Sequence, residues 1–158
     1  MIATHVNAGL FEFNTRFRNG DSLFQNIAAR GDDSFTLKVV TLIDSTRTET
    51  LSLYSYDTNT KTPLHYAAST GKIKLATLLL DKKCDIESPD ALGRTALYDA
   101  IDSQELAMTE LLLKKGASTD KIGKKNMSAV YLAILRKTLA ILELLLHYKA
   151  DVSALRTD

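Results

Sequence analysis

The sequence predicts an all-α fold: a solenoid of stacked helix–turn–helix units, three of them clear and a divergent one before them. Three observations carry this. Sequence blocks recur at one fixed step. Inside each block, apolar residues stand at helical spacing between helix-start and helix-stop residues. The composition, with 45% hydrophobic and 25% charged residues in a chain of 158, is that of an ordinary globular domain and not of a disordered chain.

The step is 33 residues. Thr62-Pro63-Leu64-His65-Tyr66-Ala67-Ala68 returns as Thr95-Ala96-Leu97-Tyr98-Asp99-Ala100-Ile101 and again as Ser128-Ala129-Val130-Tyr131-Leu132-Ala133-Ile134. Leu78-Leu79-Leu80 returns at 111–113 and at 144–146. Lys83-Cys84-Asp85, Lys115-Gly116-Ala117 and Lys149-Ala150-Asp151 follow, with Cys84, Ala117 and Ala150 in register. Three separated blocks sharing one period define a repeat, and its length excludes heptads, propeller blades and the longer helical repeats.

Each element has a local reason. Thr62 suits an N-cap, because its hydroxyl can take an unpaired amide of the first turn. Pro63 follows at the first helical position, where a missing N–H costs nothing. Leu64, Ala67 and Ala68 then face inward, the alanines allowing close approach of a neighbouring helix. Gly71 stops this short helix. A second helix carries Leu75, Leu78 and Leu79 as its apolar stripe, with Met108 and Ile141 in place of Leu75 in the next two units. The connecting stretch 88–93 is rich in turn formers. So short a helix pair cannot bury its own apolar face and must stack on its neighbours.

With these residues in view, the sequence resembles the ankyrin-repeat family. Residues 57–71 match its pattern of Asp, two variable residues, Gly, Thr-Pro-Leu-His and Ala-Ala, except that Thr60 stands at the Gly position and implies a loop of different shape. Asp90, Gly93, Thr95 and Leu97 match in the second copy. The third is weaker: Gly123 replaces the Asp, Asn126 the Gly and Ser128-Ala129 the Thr-Pro. Asn126 accepts a left-handed backbone better than most residues. The resemblance divides the chain into repeats at 57–89, 90–122 and 123–158, the last including the C-terminal end. A divergent first repeat is inferred at 22–56. There Ser22 and Phe24 stand for Thr62 and Leu64, residues 27–31 for the alanine-rich helix end, and Val39, Leu42 and Ile43 for the second stripe. Residues 1–21, with Phe11, Phe13 and Phe17, form an N-terminal cap or extension. The last copy ends in a very apolar second helix with no polar capping repeat after it. Either the final residues cap it or the natural protein continues.

Catalytic and cofactor chemistry find little footing. The three histidines, His5, His65 and His147, lack the short paired spacing of metal ligands. The resemblance implies a structural His65, hydrogen-bonded to the adjoining turn. Cys84, at an alanine position, reads as a small buried residue rather than a nucleophile, since no base accompanies it. Asp99 and Asp102, three apart on one helix, read as solvated carboxylates or a partner contact rather than an acid pair. The glycines form no phosphate-binding loop. No enzyme activity, metal, cofactor or small-molecule substrate is expected.

Charge and targeting signals narrow the setting. The net charge of +1 does not point to nucleic acid, although residues 121–158 carry seven basic and three acidic side chains. A single cysteine fits a reducing compartment. Residues 1–13 carry no secretory signal pattern, and no apolar run nears the roughly 20 residues of a membrane helix. A cytoplasmic location is therefore expected.

What remains is surface. The resemblance implies a protein-binding scaffold or adaptor that takes its partner on the concave face, made of finger tips and the exposed ends of the first helices. Position by position, the tips are Thr58, Asn59 and Lys61, then Ala91, Leu92 and Arg94, then Lys124, Lys125 and Met127. The helix ends add Ser69 and Thr70, Asp102 and Ser103, and Leu135 and Arg136. Lys61, Arg94, Lys124, Lys125 and Arg136 are basic, while Leu92, Met127 and Leu135 are apolar where exposure is expected. That combination suits a partner segment with acidic residues and an apolar anchor. The alternative is a regulatory or targeting domain of a larger enzyme, channel or secreted effector.

Overall fold

A computed structural model describes residues 26, 32, 34–38, 41, 59–120, 122–124 and 127–152. Six helices are defined in it: α1 (Pro63–Ser69), α2 (Ile73–Asp81), α3 (Ala96–Asp102), α4 (Leu106–Lys114), α5 (Ala129–Leu135) and α6 (Leu139–His147). They form three antiparallel pairs of seven and nine residues, and residues 34–38 are also helical. No strand occurs among the described residues; a single bridge joins Gly123 and Met127.

The pairs stack in two layers. In one, α3 packs against both α1 and α5. In the other, α4 packs against both α2 and α6. Most residues expected to face inward do so, while Leu78 with its counterparts Leu111 and Leu144 is half-buried and Ile134, at the register of Ala68, is exposed. Leu64, Ala67, Ala68, Leu75 and Leu79 are buried, as are their counterparts Leu97, Ala100, Ile101, Met108 and Leu112, then Val130, Ala133, Ile141 and Leu145. Each buried Leu, Ile, Val or Met side chain contributes about 1.5–3 kcal/mol relative to exposure. Helices of seven and nine residues are too short to hold in water alone. The contacts between layers and between repeats therefore sustain them.

All six helices stop in the same way. The residue two past each C-cap donates its N–H to the third-last helical carbonyl. Lys72 to Ala67, Cys84 to Leu79, Glu105 to Ala100, Ala117 to Leu112, Thr138 to Ala133 and Ala150 to Leu145 run between 2.9 and 3.2 Å. The residue between must be left-handed. Gly71 (φ 65°) and Gly116 (φ 91°) fill two of these positions, but Lys83, Gln104, Lys137 and Lys149 fill the others at φ 57–65°.

The expected equivalents Ser22, Phe24, Val39, Leu42 and Ile43, residues 27–31, the aromatics Phe11, Phe13 and Phe17, and finger residues Thr58, Lys125 and Asn126 lie outside the described residues. Thr60 takes φ 56°, close to φ 69° at Gly93 one repeat on, so a β-branched residue holds the left-handed backbone there; the shape of the rest of its loop lies outside the described residues.

Candidate binding surface

The fingers and the first helices are joined by a continuous set of polar contacts. Asp90 anchors the middle finger. Its carboxylate is fully buried and accepts N–H groups from Leu92 (2.8 Å) and Arg94 (2.9 Å). It also accepts the Arg94 guanidinium, from Nε at 2.8 Å and from Nη2 at 2.7 Å. Burial alone would raise the Asp90 pKa, but these hydrogen bonds and the charge of Arg94 outweigh it and hold the carboxyl below its usual range. Two main-chain bonds close the finger, Gly93 N–H to Asp90 C=O (2.8 Å) and Asp90 N–H to Arg94 C=O (2.9 Å).

Neighbouring fingers are tied side by side. Ala91 N–H donates to Asn59 C=O at 2.8 Å and Thr95 N–H to Ile122 C=O at 3.0 Å. His65 links its repeat to the next. Its Nδ1 accepts from Thr62 N–H at 3.1 Å, with the Thr62 hydroxyl 2.8 Å away. Because Nδ1 accepts, the proton sits on Nε2, which donates to Arg94 C=O at 2.9 Å. The ring is buried, and burial, partly countered by Arg94 C=O and Asp99, holds its pKa below the usual histidine value. His65 is thus the structural histidine that the resemblance implied. Tyr98 and Tyr131 occupy the same register in the next two repeats.

The basic residues of the face divide by what holds them. Lys61 reaches across a repeat to Asp99 at 2.7 Å, a carboxylate only 6% exposed. Arg94 is locked to Asp90 and lies 5.4 Å from the Tyr98 ring centre, in cation–π contact. Arg136 pairs with Asp102 of the preceding repeat, with both side chains partly in solvent. Lys124 is exposed. Asp99 and Asp102 therefore do not share one solvated role. Asp99 is buried beneath Lys61, because its helix position faces the preceding finger, and only Asp102 remains on the surface.

The apolar candidates divide too. Leu92 (40% exposed) and Leu135 (51%) stand in solvent. Met127 does not. It pairs with Gly123 in the last finger and packs against the core, so its expected exposure is corrected. Asn59, Ala91 and Ser103 are exposed, and Ser69 is half-buried with its hydroxyl donating to Tyr66 C=O. The absence of an Asp at position 123 has a packing reason, since a Cβ there would lie 3.1 Å from Tyr98 Cδ2.

Sequence reasoning missed two structural anchors: the burial of Asp99, which only the stacking of repeats decides, and the depth of Asp90, for which its place in the repeat motif was the available signal. No group of three or more potential metal ligands occurs among the described residues. Cys84 is partly buried, and burial with the nearby Asp85 charge pushes its thiol pKa up to about 11, far from a reactive thiolate at neutral pH.

A family model of ankyrin repeats, in three copies, matches residues 26–122. The chain belongs to the ankyrin-repeat family. That match begins inside the segment before the clear copies, and α5 and α6 beyond it repeat the helix pair of the matched ankyrin units. No curated protein matches the chain. Ankyrin repeats generally mediate protein–protein interaction and are typically non-catalytic scaffolds. No helix among the described residues is long and apolar enough to cross a membrane.

Proposed function

We propose that this ankyrin-repeat chain is a non-catalytic protein-binding scaffold, with its partner held on the finger and first-helix face. The observation that supports this is the exposure of Leu92 and Leu135 and of the cations Lys124 and Arg136, at positions the repeat assigns to the fingers and first-helix ends. Apolar side chains next to unburied charge form an anchor with a polar rim, the usual anatomy of a binding patch. The partner's matching feature is an apolar side chain flanked by acidic residues.

The two classes of cation separate fold from recognition. Lys61 and Arg94 hold Asp99 and Asp90, which are buried, and leaving either carboxylate unpaired would destabilise the fold. Arg136 and Asp102 are a surface pair, worth little to stability and free to exchange partners. The test therefore uses Lys124→Glu/Arg136→Glu and, separately, Leu92→Asp/Leu135→Asp, in a tagged pull-down from cytosol read by mass spectrometry. A partner retained by the parent and lost in both variants, with melting curves unchanged, supports the reading. A partner held equally by all three proteins refutes this face.

A further inference from the structure

The ion pairs of the finger and first-helix face differ in depth. The side chains of Asp90 and Asp99 are 0% and 6% exposed, held by Arg94 and Lys61. Asp102 differs, with 33% of its side chain in solvent and its partner Arg136 at 44%. An anionic segment approaching this face therefore meets Asp102 before Asp90 or Asp99, and Asp102 already holds a cation.

Stacking does not require that pair. Ser69 and Asp102 share a register, and so do Ser103 and Arg136. The junction between α1 and α3 thus sets Ser69 and Ser103 where the junction between α3 and α5 sets Asp102 and Arg136, and α1 and α3 pack together without an ion pair at those positions. Thr70, Ser103 and Arg136 are exposed in their three repeats, so the openness of Arg136 belongs to its register and not to its place in the last repeat.

The geometry of the pair leaves binding capacity unused. Arg136 Nε and Nη2 both donate to Asp102, and both reach the same oxygen, Oδ1. A guanidinium edge matches a carboxylate best when its two N–H groups meet two oxygens in parallel. A carboxylate that is not tethered to the neighbouring helix can take that arrangement. Leu135, next to Arg136 in sequence, is 51% exposed and offers a surface to an apolar residue beside the incoming acid.

We propose, resting on the partner-binding reading of this face, that Asp102 is a built-in competitor: it occupies Arg136 in the unbound protein, and a partner's Asp or Glu beside an apolar residue binds by displacing it. Exchange replaces a one-oxygen contact with a two-oxygen one and returns an exposed carboxylate to water at little cost. Arg136 is open to a partner only in the fraction of molecules whose pair has parted, and affinity falls by that fraction. Segments without a well-placed acid do not displace Asp102, so the pair selects among partners as well as delaying them. Removing Asp102 therefore strengthens binding, although it removes a polar contact from the face.

The probe is a phage-displayed library of random peptides panned on the parent chain, with the enriched peptides synthesised and titrated by fluorescence anisotropy. Asp102→Asn is expected to bind them about 2- to 5-fold more tightly, the release of one exposed ion pair. Arg136→Gln is expected to bind at least about 10-fold more weakly. In the double variant the gain from Asp102→Asn disappears, because it acts through Arg136. Asp102→Ser, which copies Ser69, is expected to match Asp102→Asn, with melting curves unchanged. Salt gives a second readout: the parent trades one ion pair for another, so its affinity falls less steeply with ionic strength than that of Asp102→Asn. Peptides that need Arg136 and Leu135 but bind Asp102→Asn and Asp102→Ser no better than the parent leave the binding face standing and overturn the competitor role. A gain that persists in the double variant overturns it too, since general charge repulsion then accounts for it. Peptides that bind Arg136→Gln as they bind the parent overturn it while Leu92→Asp/Leu135→Asp still judges the face, and a library with no enriched peptide counts against both.

Discussion

Replacing Thr60 with Gly should stabilise the protein. Thr60 sits at φ 56°, in the left-handed region, and its side chain is exposed, so no core packing is lost with it. Holding a non-glycine residue there costs about 1–2 kcal/mol, toward the upper end for a β-branched side chain. Glycine relieves that cost but adds about 0.5–1 kcal/mol of unfolded-state entropy. The net gain is about 1 kcal/mol, or roughly 2–4 °C in Tm for a chain of this size. Gly93 supplies the converse experiment. It holds φ 69°, and a Cβ there would meet nothing closer than Lys124 N at 3.9 Å. Gly93→Ala therefore tests the backbone angle with no steric clash, and should cost about 1 kcal/mol. Urea and thermal unfolding of the parent and the two variants measure both effects. A destabilised Thr60→Gly together with a neutral Gly93→Ala would refute the reasoning.

Other outcomes follow from the same geometry. Asp90→Ala should cost about 3 kcal/mol, because two finger amides and the Arg94 guanidinium lose a fully buried acceptor, and urea unfolding will show it. Thr95→Val should be neutral or stabilising by up to about 1 kcal/mol, since Thr95 Oγ1 is buried without a hydrogen-bond partner. Ser128→Ala, at the same register, should cost about 1 kcal/mol, because its Oγ accepts from Tyr131 N–H; the two melting temperatures should move apart. His65 stays neutral in the folded protein below the pH at which the unfolded chain protonates it. The unfolded state then binds more protons, so stability should fall as pH drops below about 6.5. The slope between pH 7.5 and 5.5 should be shallower in His65→Gln, and an unchanged slope would remove His65 from the account.

The repeat, its period and the inward residues were written in the sequence, because each unit solves the same local problem three times. Thr62, Pro63, Leu64 and the alanines state a helix start and an apolar stripe that no other register accommodates. The second helices are equally legible through Leu75, Met108 and Ile141. Family membership follows from that pattern. The helix stops at Lys83, Gln104, Lys137 and Lys149 were illegible, because their residue types do not announce a left-handed backbone; the stacked pairs impose it.

The candidate surface was only half legible. Sequence placed Leu92, Leu135, Lys124 and Arg136 on one face, since the repeat assigns each residue its position. It could not say that Asp99 would be buried under Lys61, that Met127 would turn to the core, or that Arg94 would be committed to Asp90 and Tyr98. Those outcomes depend on distances between residues in different repeats or across a turn, which only the stacked helices set. The exposure of Ile134 and Leu146 belongs to the same class. Their identities match buried residues one repeat earlier, and only the tertiary structure shows them exposed.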